Sequence, residues 1–507
     1  MNYYLGLDNG GTTTKAALFT GKGEEIGCVS METRAITHMA GYVERDMEEM
    51  WQANCSNIRD LLEQTSVSPA DILGVAVCGH GKGLYLWGKD GKPVRNGIIS
   101  TDNRAWEYPV KWKKDGAEKK AFALSCQHVL ACQPVSLLAW LKDNEPESLK
   151  NVQWIFECKD YVRFRLTGAA MAEQTDASGT NLLNLHTRSY DDELLELFGI
   201  EGLRHALPPL CISTDICGRI SREAAERTGL MEGTPVAGGM FDIDACAVAV
   251  GVVDEDYICS IAGTWSINEY IRKEPVTNGK VLMNSLFCIP EYYLIEESSP
   301  TSAANNEWFV KTLLPELAGE QQEKGKNVYD IANQWVKSIS DAEFCPVFLP
   351  FLLASNVHPN AMGSFVGLSS YHTRAHLMRS VYEGVVFSHK YHIDKLLATH
   401  TRPVKGIRLA GGVARSEIWT QMFADVMQLP VEISGVKEPG ALGSVISAAI
   451  ASGEYGNFTE ATKYMCRLAP AVLPNPANAE PYAKKYQMYL KVIGALDSVW
   501  DDMRKIL

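Results

Sequence analysis

Tyr3-Tyr4-Leu5-Gly6-Leu7-Asp8-Asn9-Gly10-Gly11-Thr12-Thr13-Thr14-Lys15-Ala16-Ala17-Leu18-Phe19 is the stretch on which the fold of this chain turns. An apolar run ends in an acid, two glycines and three hydroxyls, and a second apolar run comes after them. That order predicts a β-hairpin with a polar tip. Such a tip suits an anion: glycines let backbone N–H groups come close to a phosphate, Thr12, Thr13, Thr14 and Lys15 add donors, and Asp8 can face a bound Mg²⁺. An ordinary Gly-Gly hairpin turn explains the same residues. The rest of the chain has to decide.

Near the middle, Tyr257-Ile-Cys-Ser-Ile-Ala-Gly-Thr-Trp-Ser-Ile-Asn268 runs strand, Gly263-Thr264 turn, strand again. Two such hairpins suggest a duplicated architecture with a boundary near Gly251, giving domains over 1–250 and 251–507. Short apolar strands alternate with helical patterns throughout, as in Ile72–Cys78, Val152–Phe156, Thr234–Gly238 and Gly406–Ala410, which predicts an α/β protein. Leu409-Ala-Gly411-Gly412-Val-Ala-Arg-Ser416 leads into a helix beginning near Glu417, an order that leaves room for a nucleotide and supplies N–H donors. Glu438-Pro-Gly440-Ala-Leu-Gly443 repeats the theme, and close helix packing on small residues explains it equally well.

Composition narrows the class. At 507 residues the chain exceeds one core, and a formal charge of −13 without a Lys/Arg block excludes a nucleic-acid footprint. No eighteen-residue apolar run occurs, and Asp8 stands where a signal peptide would carry its apolar core, so no membrane span and a cytoplasmic location are expected. The thirteen cysteines are odd in number and include no Cys-x-x-Cys, and several, such as Cys246 and Cys259, lie in apolar runs, which predicts buried free thiols.

Competing motifs fail on spacing. Lys15 is followed by Ala16, so the hairpin is not a P-loop, and Gly79, Gly81 and Gly83 do not make a dinucleotide fingerprint. His372 and His376 have helical spacing without the glutamate of a zincin and are expected to be solvated helix residues. No Gly-x-Ser-x-Gly elbow is present.

Taken together, the chain resembles the FGGY family of carbohydrate kinases, within the actin-like ATPase superfamily. The resemblance runs through Gly41–Trp51, Asp102-Asn-Arg104, Asp160–Gly168, Thr234–Asp242, Phe348-Leu-Pro350 and Gly411 through Asp425. It implies two actin-like (ribonuclease H-like) α/β domains flanking a catalytic cleft, the first mainly for sugar and the second mainly for ATP. The implied reaction is ATP- and Mg²⁺-dependent phosphorylation of a primary hydroxyl on a ketopentose or keto-sugar acid such as L-xylulose or 3-keto-L-gulonate. D-xylulose, erythritol, a sugar sensor without catalysis and a conformational ATPase are the alternatives. By motif match the phosphate and nucleotide residues are Asp8, Gly10, Gly11, Thr12, Thr13, Thr14, Lys15, Gly263, Thr264, Gly411, Gly412, Ser416 and Gly440, with Asp8 also at the metal. The catalytic base carries over to Asp242 rather than Asp244, because alignment from Pro235 and from Gly251-Val252-Val253 meets at Asp242 without a gap. A helix N-cap is the bland alternative for that residue. Substrate contacts carry over to His80, Lys82, Asp102, Arg104 and Asp242. Lys82 stands at the position of a family histidine, where a cation can read a substrate carboxylate, donate to sugar hydroxyls or pair with a structural acid. Asp102 and Arg104 can equally form an ion pair with each other. Leu137 stands where the family usually has lysine, and the usual arginine near Met362 is missing. Kinases of this resemblance often form homodimers.

Overall fold

A computed structural model describes residues 2–315 and 327–506, which form two compact units. The first takes Met1–Val253 together with Ile271–Ile295 and Val436–Arg467, and the second takes Asp254–Tyr270, Glu296–Gly435 and Leu468–Leu507. Segments 271–295 and 436–467 therefore lie past the expected boundary yet pack with the first unit.

In the first unit, β1 (Tyr3–Asn9) and β2 (Thr13–Thr20) form the expected antiparallel hairpin, with Asn9 opposite Thr14. The sheet is completed by β3 (Glu25–Glu32), β4 (Ile72–Gly79), β5 (Ile216–Arg219), β6 (Pro235–Ala237) and β7 (Met240–Phe241). Its order is β5-β6-β4-β1-β2-β3, with β7 also on β4. Strands β1 and β4 are near-continuous apolar runs because both faces are covered. Helix Met47–Thr65 brings buried Trp51, Cys55, Ile58 and Leu61 to one core, and its N-terminus is held by Asp46, whose carboxylate accepts from the N–H groups of Glu48 and Glu49. On the other side lies helix Pro439–Ala451. There a Cβ on Gly6 would sit 2.4 Å from the Ala441 carbonyl oxygen, an approach only glycine permits. Strand register brings the chemistry-bearing residues together: Asp8 aligns with Cys78 and Cys78 with Met240, while Asn9 aligns with Gly79 and Gly79 with Phe241. The hairpin tip, the loop after Gly79 and the helix starting at Asp242 thus all leave the sheet at the same end, the carboxyl end of its parallel strands, where α/β sheets bind ligands.

The second unit repeats the plan. Strands β8 (Tyr257–Ala262) and β9 (Ser266–Arg272) make a hairpin with Ala262 opposite Ser266. Then β10 (Gly406–Ala410) runs parallel to β8, with β11 (Val431–Ile433) on its far side. Helix Arg374–Leu397 contributes buried Val381, Val385 and His389. His376 corrects an expectation: it is buried and caps this helix, its Nδ1 facing the Thr373 N–H at 3.1 Å and its Nε2 2.9 Å from Glu343, while His372 precedes the helix. All thirteen thiols are free, with Cys259 buried and Cys246 half-buried. Among the described residues no helix is long and apolar enough to cross a membrane.

Candidate active site

The first-unit hairpin tip closes with the Gly10 N–H donating to the Thr13 carbonyl at 3.0 Å. Its shape is held from below by buried polar side chains. Asn54 donates to Asn9 Oδ1 at 2.7 Å, Asn57 donates to both the carbonyl and the hydroxyl of Thr14 at 3.0 Å, and Arg45 donates to the carbonyls of Gly10 (2.8 Å) and Gly11. The Thr14 hydroxyl is therefore turned inward as an anchor, unlike the donor the sequence suggests. Thr12 is exposed, Thr13 is half-buried, and a Cβ on Gly11 would meet nothing within 4 Å, so the tip faces open space. Lys15 bridges to Glu438 at 2.6 Å. Burial pushes the Asp8 carboxyl up, opposed by the Lys15 ammonium. Gly440 leaves room for that carboxylate, since its Cβ would lie 2.8 Å from Asp8 Oδ2. Gly443 answers to helix packing, its Cβ falling 2.0 Å from the Ala245 carbonyl oxygen.

Asp242 is the first residue of helix Asp242–Ala249, after Phe241 at the N-cap, and its carboxylate interacts with the Ile243 N–H. Burial raises its carboxyl well above the usual carboxylate range, Asp8 and Asp176 add to the rise, and Lys82 opposes it. Asp244 faces elsewhere, accepting from the Cys288 N–H at 3.1 Å. The two acids of the Asp-Ile-Asp stretch thus separate by environment, with only Asp242 grouped with Asp8 and Lys82.

Beside it, the loop from Gly79 to Gly83 is tightly fitted. A Cβ on Gly81 would strike the Phe241 ring at 2.6 Å and Asp176 Oδ1 at 2.8 Å, and Gly83 at φ +84° would meet the Ile98 carbonyl at 2.4 Å. Lys82 itself holds φ +64°, and its Nζ stands 5.7 Å from the Phe241 ring centroid. Its charge also reaches buried Glu157, whose carboxyl is raised by burial and by Asp176 and Asp160. His80 is buried with both ring nitrogens engaged, one 2.9 Å from the Tyr85 hydroxyl and one 3.2 Å from the Gly81 carbonyl, and burial depresses it to about 3. It props the loop as a neutral ring. Asp102 and Arg104 form the ion pair that competed with a sugar role: Nε lies 3.0 Å from Oδ1 and Nη2 2.8 Å from Oδ2, Glu44 accepts a further bond at 2.8 Å, and the guanidinium stacks over Tyr42.

In the second unit a cavity of about 490 Å³ is lined by Gly263, Thr264, Asn306, Asn333, Gly412 and Trp419, among others. Trp419 stacks on Tyr382 with centroids 4.1 Å apart and planes 14° from parallel, a flat apolar wall. Asn306 Oδ1 meets no donor among the described residues. Ser416, which also lines the cavity, caps helix Glu417–Met427 and donates to Asn333 at 2.8 Å. Gly411, at φ +90°, packs its backbone on the Ala262 carbonyl, whereas Gly412 and Gly263 have open space where a Cβ would be. Behind the Gly263 turn, buried His389 sits 3.1 Å from the Ser260 and Ser266 hydroxyls and 2.8 Å from Ser302, and burial holds it near 3. Ser302 and Ala303 in turn donate to the carbonyls of Thr264 and Gly263 at 2.9 Å.

Residues 3–249 match the N-terminal domain, and residues 259–452 the C-terminal domain, of the FGGY family of carbohydrate kinases. The chain belongs to that family. This FGGY kinase is 38% identical to the L-xylulose/3-keto-L-gulonate kinase of Escherichia coli over 97% of each chain. It is 36% identical to a probable L-xylulose kinase of Pasteurella multocida over 98% of this chain and all of the other. Its fold superposes on a xylulose kinase from Lactobacillus acidophilus with TM-score 0.89 at 24% identity, covering 99% and 100% of the two chains. The protein is a sugar kinase with the two-domain actin-like α/β fold, acting on a small-molecule sugar with ATP as donor.

Sequence reasoning missed the residues that act through others. Arg45 and Asp46 lie within the Gly41–Trp51 stretch, but nothing local says that one holds the tip and the other caps a helix. Asp176 and Glu157 are acids in unremarkable helical contexts. Tyr382, Asn306 and Asn333 lie far from any glycine-rich signal.

Proposed function

We propose that this FGGY kinase transfers the γ-phosphoryl group of ATP to a primary hydroxyl of L-xylulose or 3-keto-L-gulonate, with Asp242 as general base. One observation carries the assignment: the start of helix Asp242–Ala249 leaves the sheet beside the Asp8 hairpin and the Gly79 loop, where burial, Asp8 and Asp176 raise the Asp242 carboxyl and favour its taking a proton. The sugar hydroxyl gives its proton to Asp242 as its oxygen attacks the γ-phosphorus, and ADP departs. Gly10 to Thr13 present N–H and hydroxyl donors to phosphate oxygens, and Lys15 is oriented by Glu438. In the second unit, Gly263 and Gly412 leave space for phosphate and ribose, the Tyr382–Trp419 wall receives the base, and Asn306 Oδ1 accepts from its exocyclic amine.

The donor set suits Mg²⁺. Asp8 is a hard oxygen ligand, and a divalent cation on it would relieve the repulsion between the Asp8 and Asp242 carboxylates. Asp8 would hold the ion, which supplies charge neutralisation on the phosphates. The first domain would supply the sugar contacts and the second the nucleoside pocket.

Lys82 reads the sugar, and His80 positions it. A charge-assisted bond to a substrate carboxylate would favour the keto-acid by about 10–150-fold. Lys82 also faces Asp242 and Glu157, which compete for its charge. An ADP-release assay across pentuloses, polyols and keto-acids tests the kinase reading, with sugar-independent turnover as the result against it. Lys82→Met is expected to cut kcat/KM on 3-keto-L-gulonate far more than on L-xylulose. Equal losses reject the carboxylate role. Because Lys82 lowers the Asp242 carboxyl, the same variant should move the acidic limb of the pH–rate profile upward.

A further inference from the structure

Arg45 is about 1% exposed, yet no carboxylate pairs with it among the described residues. One terminal nitrogen donates to the carbonyls of Gly10 and Gly11, the other lies 3.2 Å from the Met50 sulfur, and Nε meets no acceptor. Other buried arginines are compensated: Arg104 by Asp102 and Glu44, Arg163 by Asp160 and Arg379 by Glu383. A buried cation left without a counter-charge is costly and calls for an anion from elsewhere.

The geometry says where that anion belongs. A trans peptide is planar, so the Gly10 carbonyl points opposite to the Gly11 N–H, and the Gly11 carbonyl opposite to the Thr12 N–H. Drawing both carbonyls toward Arg45 turns both N–H groups outward, to the side where Gly11 has open space and Thr12 is exposed. Neither N–H donates to an acceptor among the described residues. Arg45 thus polarises two peptide units whose far ends are free donors.

We propose that Arg45 is a positioning residue for phosphate: its buried charge is balanced by the bound phosphate group, to which it is coupled through the Gly10-Gly11 and Gly11-Thr12 peptides. The proposal rests on the kinase reading for its purpose, but its test needs no sugar. The probe is Mg-pyrophosphate, titrated calorimetrically into the full-length protein, alongside turnover with Mg-ATP and L-xylulose. Arg45→Gln keeps N–H donors for the two carbonyls and removes the charge, while Arg45→Lys keeps the charge. Arg45→Gln should weaken pyrophosphate binding and lower kcat by roughly 10–100-fold, with an unchanged or higher melting midpoint, and Arg45→Lys should retain both within about fivefold. Wild-type binding in Arg45→Gln overturns the proposal, as does failure of the wild-type protein to bind pyrophosphate. Equal losses in both variants with a lowered melting midpoint, the mark of a purely structural role, overturn it too. If Arg45→Gln does not fold, Arg45→Met is put through the same titration, and wild-type affinity there is again fatal. Pyrophosphate binding without sugar turnover would count against the kinase reading and leave the role of Arg45 standing.

Discussion

Adding one methyl group at Gly440 should separate catalysis from stability. The residue lies in the first turn of helix Pro439–Ala451, where alanine is the better helix former by up to about 1 kcal/mol, so the fold should tolerate Gly440→Ala or gain slightly from it. The new Cβ, however, would stand 2.8 Å from Asp8 Oδ2, 3.2 Å from its Cγ and 3.4 Å from the Cys78 sulfur, and ordinary contact begins near 3.4 Å. The Cys78 contact is acceptable and the Asp8 contact is not, so the carboxylate has to retreat by about 0.6 Å. A misplacement of about 1 Å at reacting groups costs roughly a hundredfold, so this retreat should lower kcat by about 10–50-fold and raise the Mg²⁺ concentration needed for half-maximal rate. The assay is ADP release at saturating sugar with Mg²⁺ varied, paired with a thermal melt. Gly443→Ala is the internal control. Its Cβ would lie 2.0 Å from a backbone carbonyl that cannot swing aside, and the variant should lose about 3 kcal/mol or more of stability. A Gly440→Ala enzyme with wild-type kcat and Mg²⁺ dependence would show that the seat of the Asp8 carboxylate does not limit turnover. A loss matched by an equivalent drop in the melting midpoint would assign the effect to folding and refute the separation of catalysis from stability.

Asp242→Asn should reduce kcat by about 10²–10⁴-fold while the KM for ATP stays within a few-fold, in steady-state assays; a residual rate near wild type would remove the general-base role. Acid should weaken both units through their buried histidines. His80 and His389, held near 3 against an ordinary value of 6.5, stay neutral in the fold while the unfolded chain takes up protons. Their contribution is complete above about pH 6.5 and is lost as pH falls toward 3, at about 1.4 kcal/mol per pH unit for each. Urea midpoints at pH 7.5 and 5.5 measure this, and His389→Asn should flatten the slope. An unchanged slope would mean that His389 is protonated in the folded state.

The hairpin, its echo and the alternation of strands and helices could be read from local pattern, because the turn is closed locally by the Gly10 N–H on the Thr13 carbonyl. Asp242 is preferred to Asp244 through the match to the family's aspartate, and the two carboxyls lie in different surroundings. Roles that depend on tertiary partners were not readable. The sequence does not show that the Thr14 hydroxyl accepts from Asn57, that Ser416 caps a helix while lining the second-unit cavity, or that Arg104 is paired with Asp102 and Glu44. Nor does it show that the His80 ring meets the Tyr85 hydroxyl. In each case the sequence names a polar atom, and the fold decides whether a ligand or a neighbour receives it.

The first unit is sewn from three stretches of chain, which matters while the protein is being made. Gly6 and Gly74 present a groove that stays uncovered until helix Pro439–Ala451 has been synthesised, since their nearest neighbours include Ala441 and Ala448. At about 5–20 residues per second the wait between Val253 and Arg467 is roughly ten to forty seconds, during which an apolar sheet face is open to water. The nascent protein therefore cannot finish its oldest part first. A ribosome that stops before that helix is complete releases a chain whose phosphate hairpin has no roof, which makes the bare face a natural handle for chaperones and for the proteases that clear unfinished products.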